Sequence, residues 1–125
     1  MPSIEGGGVE KNLLIISNFL RKKKFDIKLI TSSKDNIKKF KGIQLKTPGI
    51  NINSYGRKIK YLFCLFLLVK EFLSNKNLLV FSFQANVYCI LLSKLFNKKI
   101  IIRSNSSPSG WSNNILKKIV FRIVF

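Results

Sequence analysis

Histidine is absent from this chain of 125 residues, and only five acidic residues stand against 23 Lys and Arg. Without imidazole, a metal site built on histidine is excluded. The two cysteines, Cys64 and Cys89, form no CxxC motif and are too few for a zinc cluster. Both lie in apolar runs, which predicts two buried free thiols in a reducing compartment. We therefore expect no metal site and a cytoplasmic location.

Long hydrophobic runs are also missing. Residues 61–69 are apolar over nine positions, and residues 78–93 are uncharged over sixteen but contain Ser82, Gln84 and Asn86. A membrane-spanning helix needs about 20 consecutive apolar residues. The start of the chain is glycine-rich and has no basic n-region, so no signal peptide is predicted. Attachment to one face of a membrane stays open.

The charge has one dominant sign, with a net value of +18. A functional basic patch would indicate nucleic acid or anionic lipid as a partner. However, Lys is spread through every polar segment, which favours a solvated surface with incidental attraction to anionic membrane. Phe63, Phe66, Phe81 and Phe83 fall in apolar runs typical of core positions, which argues against stacking platforms for nucleic acid. We expect no nucleic-acid partner, and a basic binding module for anionic membrane or nucleic acid remains the alternative function.

The apolar content of 46% excludes wholesale disorder, and its periodicity predicts alternating helices and strands. The predicted helices are residues 9–23, 57–73, 85–96 and 113–125, and the predicted strands are residues 25–31, 43–45, 78–83 and 100–103. The run at 78–83 is continuous, which is typical of a strand buried on both faces. This order predicts an α/β fold, a Rossmann-like parallel sheet with helices on both faces, in one domain over residues 1–125.

Three consecutive glycines, Gly6, Gly7 and Gly8, directly precede the first predicted helix. Backbone without Cβ atoms can approach an anion closely, and a helix N-terminus offers free N–H groups to phosphate. Lys11 stands where the dinucleotide fingerprint GxGxxG needs its third glycine, so the pattern is a weak match. A simple tight turn and an NAD-dependent epimerase or reductase stay open as alternatives.

Two polar clusters follow predicted strands. They are Ser82, Gln84 and Asn86 after the third strand, and Arg103, Ser104 and Asn105 after the fourth. In open parallel α/β sheets, ligands bind beyond the carboxyl ends of the strands. Hydroxyl, amide and guanidinium groups there can hold sugar hydroxyls or phosphate. The competing structural roles are a helix cap for Asn86 and a surface ion pair for Arg103.

Residues 2–10 read PSIEGGGVE, and this stretch resembles the opening loop of glycosyltransferases of the GT-B fold with a subfamily-4-like N-terminal domain. In that family, P-S-x-x-G-G-G-x-E follows an apolar strand and precedes a helix. Residues 80–88 (VFSFQANVY) and 101–105 (IIRSN) resemble the fourth and fifth strands of the same domain with their loops. The similarity covers essentially the whole chain.

The resemblance implies a hexosyltransferase-like enzyme that transfers a sugar from a nucleotide-diphosphate sugar to a glycan or lipid-linked acceptor. Polysaccharide or lipopolysaccharide biosynthesis is the implied setting, with no metal or other cofactor and with peripheral contact at the inner face of the plasma membrane. By the same resemblance, Gly6, Gly7 and Gly8 face the donor diphosphate. The two polar clusters line the acceptor cleft, and no catalytic residue is assigned.

The chain departs from the family pattern in two ways. Many members carry a histidine after the fifth strand, where this chain reads Arg103-Ser104-Asn105. The family's first strand and its donor-binding C-terminal domain have no counterpart in the sequence. We therefore expect a fragment, the acceptor-side N-terminal domain, that binds donor weakly and does not turn over alone.

Overall fold

A computed structural model describes residues 7–32, 39–50, 52, 54–84 and 86–103. The chain divides into two compact units, residues 1–74 and residues 75–125. Helices and strands follow one another in the predicted order, so the α/β class is confirmed for the described residues. The last predicted helix, residues 113–125, lies outside them. The assignment of residues 1–125 to one N-terminal domain stays a prediction.

The first unit contains two helices and two strands. They are α1 (Gly8–Lys22), β1 (Lys28–Ile30), β2 (Gln44–Lys46) and α2 (Arg57–Ser74). The strands pair in parallel, with Lys28 opposite Gln44 and Ile30 opposite Lys46. β1 is shorter than the predicted strand at residues 25–31, because β2 offers only three residues for the ladder.

Helix α1 forms where the sequence complements the helix dipole. Glu10 lies in the first turn, and Arg21 and Lys22 lie in the last. Leu13 is buried, as its periodicity predicts. The helical spacing of Leu13, Ile16, Phe19 and Leu20 predicts one shared apolar face, but Phe19 is 57% exposed. That expectation is wrong, because at 100° per residue Phe19 lies about 120° around the helix from Leu13, outside the buried face.

Two residues beyond the last residue of α1, and of α3 (Asn86–Leu95), the backbone enters the left-handed region. Lys24 has a φ of 64° and Asn97 a φ of 50°. After α1, the N–H of Phe25 donates to the carbonyl of Leu20 at 3.1 Å. This bond, six residues to one, is the closing bond of a Schellman motif and satisfies a carbonyl at the helix end. Both helices therefore stop within two residues of the predicted bounds.

Helix α2 is anchored to the strands of its unit by an ion pair network. The buried Cys64, Leu68 and Phe72 lie on one side of the helix. Next to them, Glu71 accepts a hydrogen bond from Lys28 Nζ at 2.8 Å and forms an ion pair with Lys46 Nζ at 3.4 Å. The hydrogen bond from Lys28 is the main cause that holds the pKa of Glu71 below its ordinary value, and burial opposes it. One carboxylate thus connects β1, β2 and α2.

The second unit contains a β–α–β arrangement. Its elements are β3 (Leu79–Ser82), α3 and β4 (Lys99–Ile102). The strands pair in parallel, with Leu79 opposite Lys99 and Ser82 opposite Ile102. The hydrogen-bonded ladders of the described residues join β1 to β2 and β3 to β4. Parallel pairing is therefore confirmed, and the union of these pairs into one Rossmann-like sheet stays a prediction.

Strand β3 is buried on one face only, so the prediction of a strand buried on both faces is wrong. Val80 and Ser82 are buried, whereas Leu79 is 58% exposed and Phe81 is 36% exposed. Successive side chains point to opposite faces of a strand, so this alternation marks one covered and one open face. A continuous apolar run does not by itself distinguish this case from burial on both faces.

The prediction that the aromatic residues of the apolar runs lie in the core is also corrected in part. Phe83 is buried and Phe63 is half-buried. Phe66 is 61% exposed, and Phe81 stacks on Phe83 with ring centroids 4.9 Å apart. Apolar residues lie on all sides of α2, so some of them face outward whichever side of the helix packs inward.

Both cysteines are free thiols. Cys64 is buried as predicted, but Cys89 is only half-buried, because its position on α3 lies at the edge of the covered face. Within the described ranges, no helix combines the length and apolar content needed to cross a bilayer.

Candidate functional site

The strongest candidate site lies at the carboxyl ends of β3 and β4. Because the two strands are parallel neighbours, their ends meet at one edge of the sheet. Ser82 is the last residue of β3 and Arg103 follows β4, and the Arg103 N–H donates to the Ser82 carbonyl at 2.9 Å. Gln84 and Asn86 follow Ser82 in the turn that leads into α3. Four of the six predicted cleft residues are thus brought together, and the other two, Ser104 and Asn105, lie outside the described residues.

Asn86 connects the two strand ends through its side-chain amide. Its Oδ1 accepts a hydrogen bond from Ser82 Oγ at 2.9 Å, and its Nδ2 donates to the carbonyl of Arg103 at 2.9 Å. These bonds give Asn86 a structural role as a bridge between the two strand ends, and its contact with a ligand stays a prediction. An amide can make four hydrogen bonds, and the described residues take up two of them, so the other two are available to a ligand.

The hydroxyl of Ser82 is buried and has two acceptors within reach. Its Oγ lies 2.8 Å from the carbonyl oxygen of Gln84 and 2.9 Å from Asn86 Oδ1. A serine hydroxyl carries one proton, so it donates to only one of these oxygens at a time. The other oxygen keeps a lone pair that a donor on a ligand can use.

Two side-chain atoms of this cluster are buried without a hydrogen-bond partner among the described residues. They are Oε1 of Gln84, an acceptor, and Nη1 of Arg103, a donor. Leaving such a group unsatisfied costs about 1–3 kcal/mol, and more for a charged group. The burial of Nη1 argues against the surface ion pair as the role of Arg103. A third such atom, Ser93 Oγ, lies near the opposite end of α3.

Cys89 belongs to the same neighbourhood, although the sequence did not single it out for this site. Its Sγ lies 4.0 Å from the carbonyl oxygen of Gln84. Cys89 follows Asn86 by three positions, so helical periodicity places both on one face of α3. The spacing of three residues from Asn86 is the feature of the sequence that predicts that Cys89 lies near this site.

The glycine segment forms a second candidate group, in the first unit. Gly6 lies outside the described residues. Gly7 is the N-cap of α1, with a φ of −78° and a ψ of −175°, and its carbonyl accepts from the N–H of Lys11 at 3.1 Å. Gly8 is the first helical residue, and a Cβ there would meet nothing within 4 Å. Neither Gly7 nor Gly8 has a positive φ, so the backbone conformation does not require glycine at these positions. What the two glycines provide is open space beside the backbone.

An acidic side chain shares this helix N-terminus. A Cβ added to Gly7 would lie 2.9 Å from Oε2 of Glu10. The Glu10 carboxylate therefore stands where it complements the positive end of the helix dipole. A diphosphate would have to displace this carboxylate before it could use the same N–H groups. The assignment of Gly6, Gly7 and Gly8 to a donor diphosphate stays a prediction.

Comparison of the chain with known protein families, with curated proteins and with solved structures found no match. The geometry of the β3 and β4 ends is therefore the main observation on which a function can rest.

Proposed function

We propose that the chain is the acceptor-binding N-terminal domain of a GT-B-type glycosyltransferase, which transfers a sugar from a nucleotide-diphosphate sugar to a glycan or lipid-linked acceptor. The observation that supports this function is the polar edge of β3 and β4. There, a buried acceptor on Gln84 and a buried donor on Arg103 have no partner among the described residues.

A sugar is the class of ligand that fits such a mixed edge best. Each hydroxyl group of a sugar ring both donates and accepts, so one ligand can satisfy an amide oxygen and a guanidinium nitrogen together. The second lone pair of Asn86 Oδ1 and the second hydrogen of its Nδ2 add further contacts of both kinds. A purely anionic ligand would satisfy Arg103 but leave the Gln84 oxygen without a donor.

The described residues of this edge are suited to binding rather than to proton transfer. Hydroxyl, amide and guanidinium groups are hydrogen-bond donors and acceptors rather than general bases, so Ser82, Gln84, Asn86 and Arg103 would hold and orient an acceptor hydroxyl. Transfer also requires stabilisation of the diphosphate as it leaves the donor. In the proposed enzyme that task belongs to the donor-binding side, and the glycines at residues 6–8 would contribute to it.

The fold supports the same assignment. Two parallel strand pairs, of which β3 and β4 are connected by α3, fit a doubly wound, Rossmann-like sheet, in which ligands bind at the carboxyl ends of strands. The resemblance of residues 2–10, 80–88 and 101–105 to the GT-B family favours a sugar transferase over an NAD-dependent enzyme. Such an enzyme would work in the cytoplasm, at the inner face of the plasma membrane.

A titration of the full chain with mono- and disaccharides, followed by amide chemical shifts in NMR, tests this function. We expect weak binding, with dissociation constants of about 1 mM or above, because four polar side chains offer a sugar only a few hydrogen bonds. The perturbed amides should centre on residues 82–86 and 103. The chain alone should show no transfer from a nucleotide sugar.

Gln84→Leu and Arg103→Met are the decisive variants, since each removes an unpaired polar group but keeps the volume of the side chain. We expect about tenfold weaker sugar binding for each, whereas stability should hold or rise slightly because a buried unsatisfied group is gone. Gln44→Leu, at an exposed position of β2, is the matched control. Unchanged sugar binding in both variants, or shifts at these amides with NAD but not with sugars, would contradict the proposal.

A further inference from the structure

Helix α2 has a second apolar face, opposite the one that packs inward. Its buried residues Cys64, Leu68 and Phe72 define the inner side. Four large apolar residues lie on the outer side, and we call them the α2 stripe. They are Ile59, Leu62, Phe66 and Leu73, which are 40%, 67%, 61% and 72% exposed. At 3.6 residues per turn, all four fall within an arc of about 60° on the side away from Leu68.

Such a stripe is unusual for the outer side of a helix. In a helix at the surface of a globular protein, polar residues normally occupy the side that faces water. The α2 stripe runs from Ile59 to Leu73, which at 1.5 Å per residue is a length of about 21 Å. Monomeric proteins rarely leave a continuous apolar surface of this kind without a partner.

The charged residues of α2 that lie beside the α2 stripe are positive. Arg57 and Lys58 lie at its N-terminal end, and Lys70 lies within it, with Nζ 5.9 Å from the centroid of the Phe66 ring. The single acidic residue of α2 is Glu71, which is engaged by Lys28 and Lys46 of β1 and β2. An apolar stripe with a cationic rim is typical of a helix that lies in the interface of an anionic membrane.

We propose that α2 docks the protein onto an anionic lipid bilayer, with the α2 stripe in the boundary between headgroups and acyl chains. The net charge of +18 attracts the whole chain to such a surface, and the stripe fixes which side makes contact. The same charge disfavours a second copy of the chain as the occupant, because two copies repel each other. This inference does not depend on the proposed transferase function.

Cosedimentation of the full chain with vesicles tests the proposal. The vesicles are phosphatidylcholine alone or phosphatidylcholine mixed with phosphatidylglycerol, at low and high salt. We expect at least about tenfold tighter binding to the mixed vesicles, since each basic residue near an anionic surface contributes about fivefold. Equal binding to both kinds of vesicle at low salt would overturn the proposal.

Substitutions in the α2 stripe separate docking from bulk charge. Leu62→Gln combined with Phe66→Gln should weaken binding to the mixed vesicles by about tenfold or more, because two apolar side chains no longer enter the bilayer. The matched control combines Ile15→Gln with Phe19→Gln on α1, where the side chains are 55% and 57% exposed. The control should bind within about twofold of the wild type. Equal weakening by both pairs would overturn the proposal.

A fluorescence measurement keeps the test valid if the double variant does not fold. The Phe66→Trp variant should show a blue shift on the mixed vesicles and quenching by brominated lipid, measured against the wild type with its native Trp111. The Phe19→Trp variant should show neither change. The absence of a shift for Phe66→Trp would overturn the proposal. So would a dimer, in sedimentation velocity, that the stripe substitutions convert to monomer.

Discussion

Glu71→Gln should destabilise the first unit by an amount that can be worked from its contacts. Glu71 accepts a charge-assisted hydrogen bond from Lys28 at 2.8 Å, and its side chain is only 14% exposed. Bonds of this kind contribute about 1.5–3 kcal/mol, of which glutamine, with one carbonyl acceptor and no charge, keeps about half. The ion pair with Lys46 at 3.4 Å involves an ammonium that is 37% exposed, so we count only about 0.5 kcal/mol for it.

The expected loss is therefore about 1.5 kcal/mol in the free energy of unfolding. For cooperative unfolding of a chain of this length, that corresponds to a decrease of about 6 °C in Tm. Urea unfolding followed by circular dichroism measures it. Glu10→Gln is the matched control, because it changes the net charge equally but removes only a favourable contact with the helix dipole, about 0.5 kcal/mol.

The effect of pH on the stability difference between the wild type and Glu71→Gln shows whether the charge of Glu71 causes that difference. The pKa of Glu71 is lowered in the folded state, so its contribution is present above the unfolded pKa and is lost as pH falls through the folded one. The gap between wild type and Glu71→Gln should be constant well above the ordinary glutamate pKa of 4.5 and should shrink as pH falls below it toward the lowered pKa of the folded state. A gap that persists at low pH, or one no larger than that of Glu10→Gln, would refute the electrostatic explanation.

Three further substitutions test the local geometry. Gly42→Ala should lower the free energy of unfolding in urea by about 1–2 kcal/mol, because Gly42 has a φ of 76° and a Cβ there would lie 2.7 Å from Nη1 of Arg21. An unchanged urea midpoint would contradict the left-handed conformation of Gly42. Gly8→Ala should stabilise by about 0.5 kcal/mol, since its Cβ meets nothing within 4 Å, and weaker nucleotide-sugar binding in this more stable variant would favour the diphosphate role. Asn86→Asp should cost about 2 kcal/mol, because a carboxylate accepts from Ser82 but cannot donate to the Arg103 carbonyl. An Asn86→Asp variant as stable as the wild type would argue against the bridge.

Much of the element order could be predicted from local sequence, whereas strand length could not. The long apolar run of α2 and the short runs of β3 and β4 carry their periodicity within a few residues. The length of β1 instead depends on β2, which lies about fifteen residues further along the chain and offers three partners. A strand ends where its neighbour ends, and that information is not local.

Exposure was the least predictable property. α2 is apolar on both its inner and outer sides, so its sequence does not indicate whether Leu68 or Phe66 faces inward. The positions of Lys28 and Lys46 decide the matter, because Glu71 can meet both only when its side of the helix faces β1 and β2. This pairing joins residues 43 apart in sequence, beyond the range of any periodic pattern.

The sequence could predict that the polar residues at the ends of β3 and β4 lie close together, but not which hydrogen bonds they form. Parallel strands bring Ser82 and Arg103 to the same edge, and that follows from topology alone. The bridge made by Asn86 depends on hydrogen-bond distances across two loops. That Gln84 Oε1 and Arg103 Nη1 have no hydrogen-bond partner among the described residues depends on their burial, which the sequence does not encode locally.

The single proton of Ser82 has a consequence for selectivity. When the hydroxyl turns toward the Gln84 carbonyl, Asn86 Oδ1 is left to accept from a ligand, and when it turns toward Asn86 the carbonyl is left instead. Rotation about one bond thus moves the free acceptor from one side of the edge to the other with no shift of any heavy atom. Such an edge would accept a sugar hydroxyl group in either the axial or the equatorial position. Stricter discrimination between epimers would have to come from groups of fixed geometry, such as the planar guanidinium of Arg103.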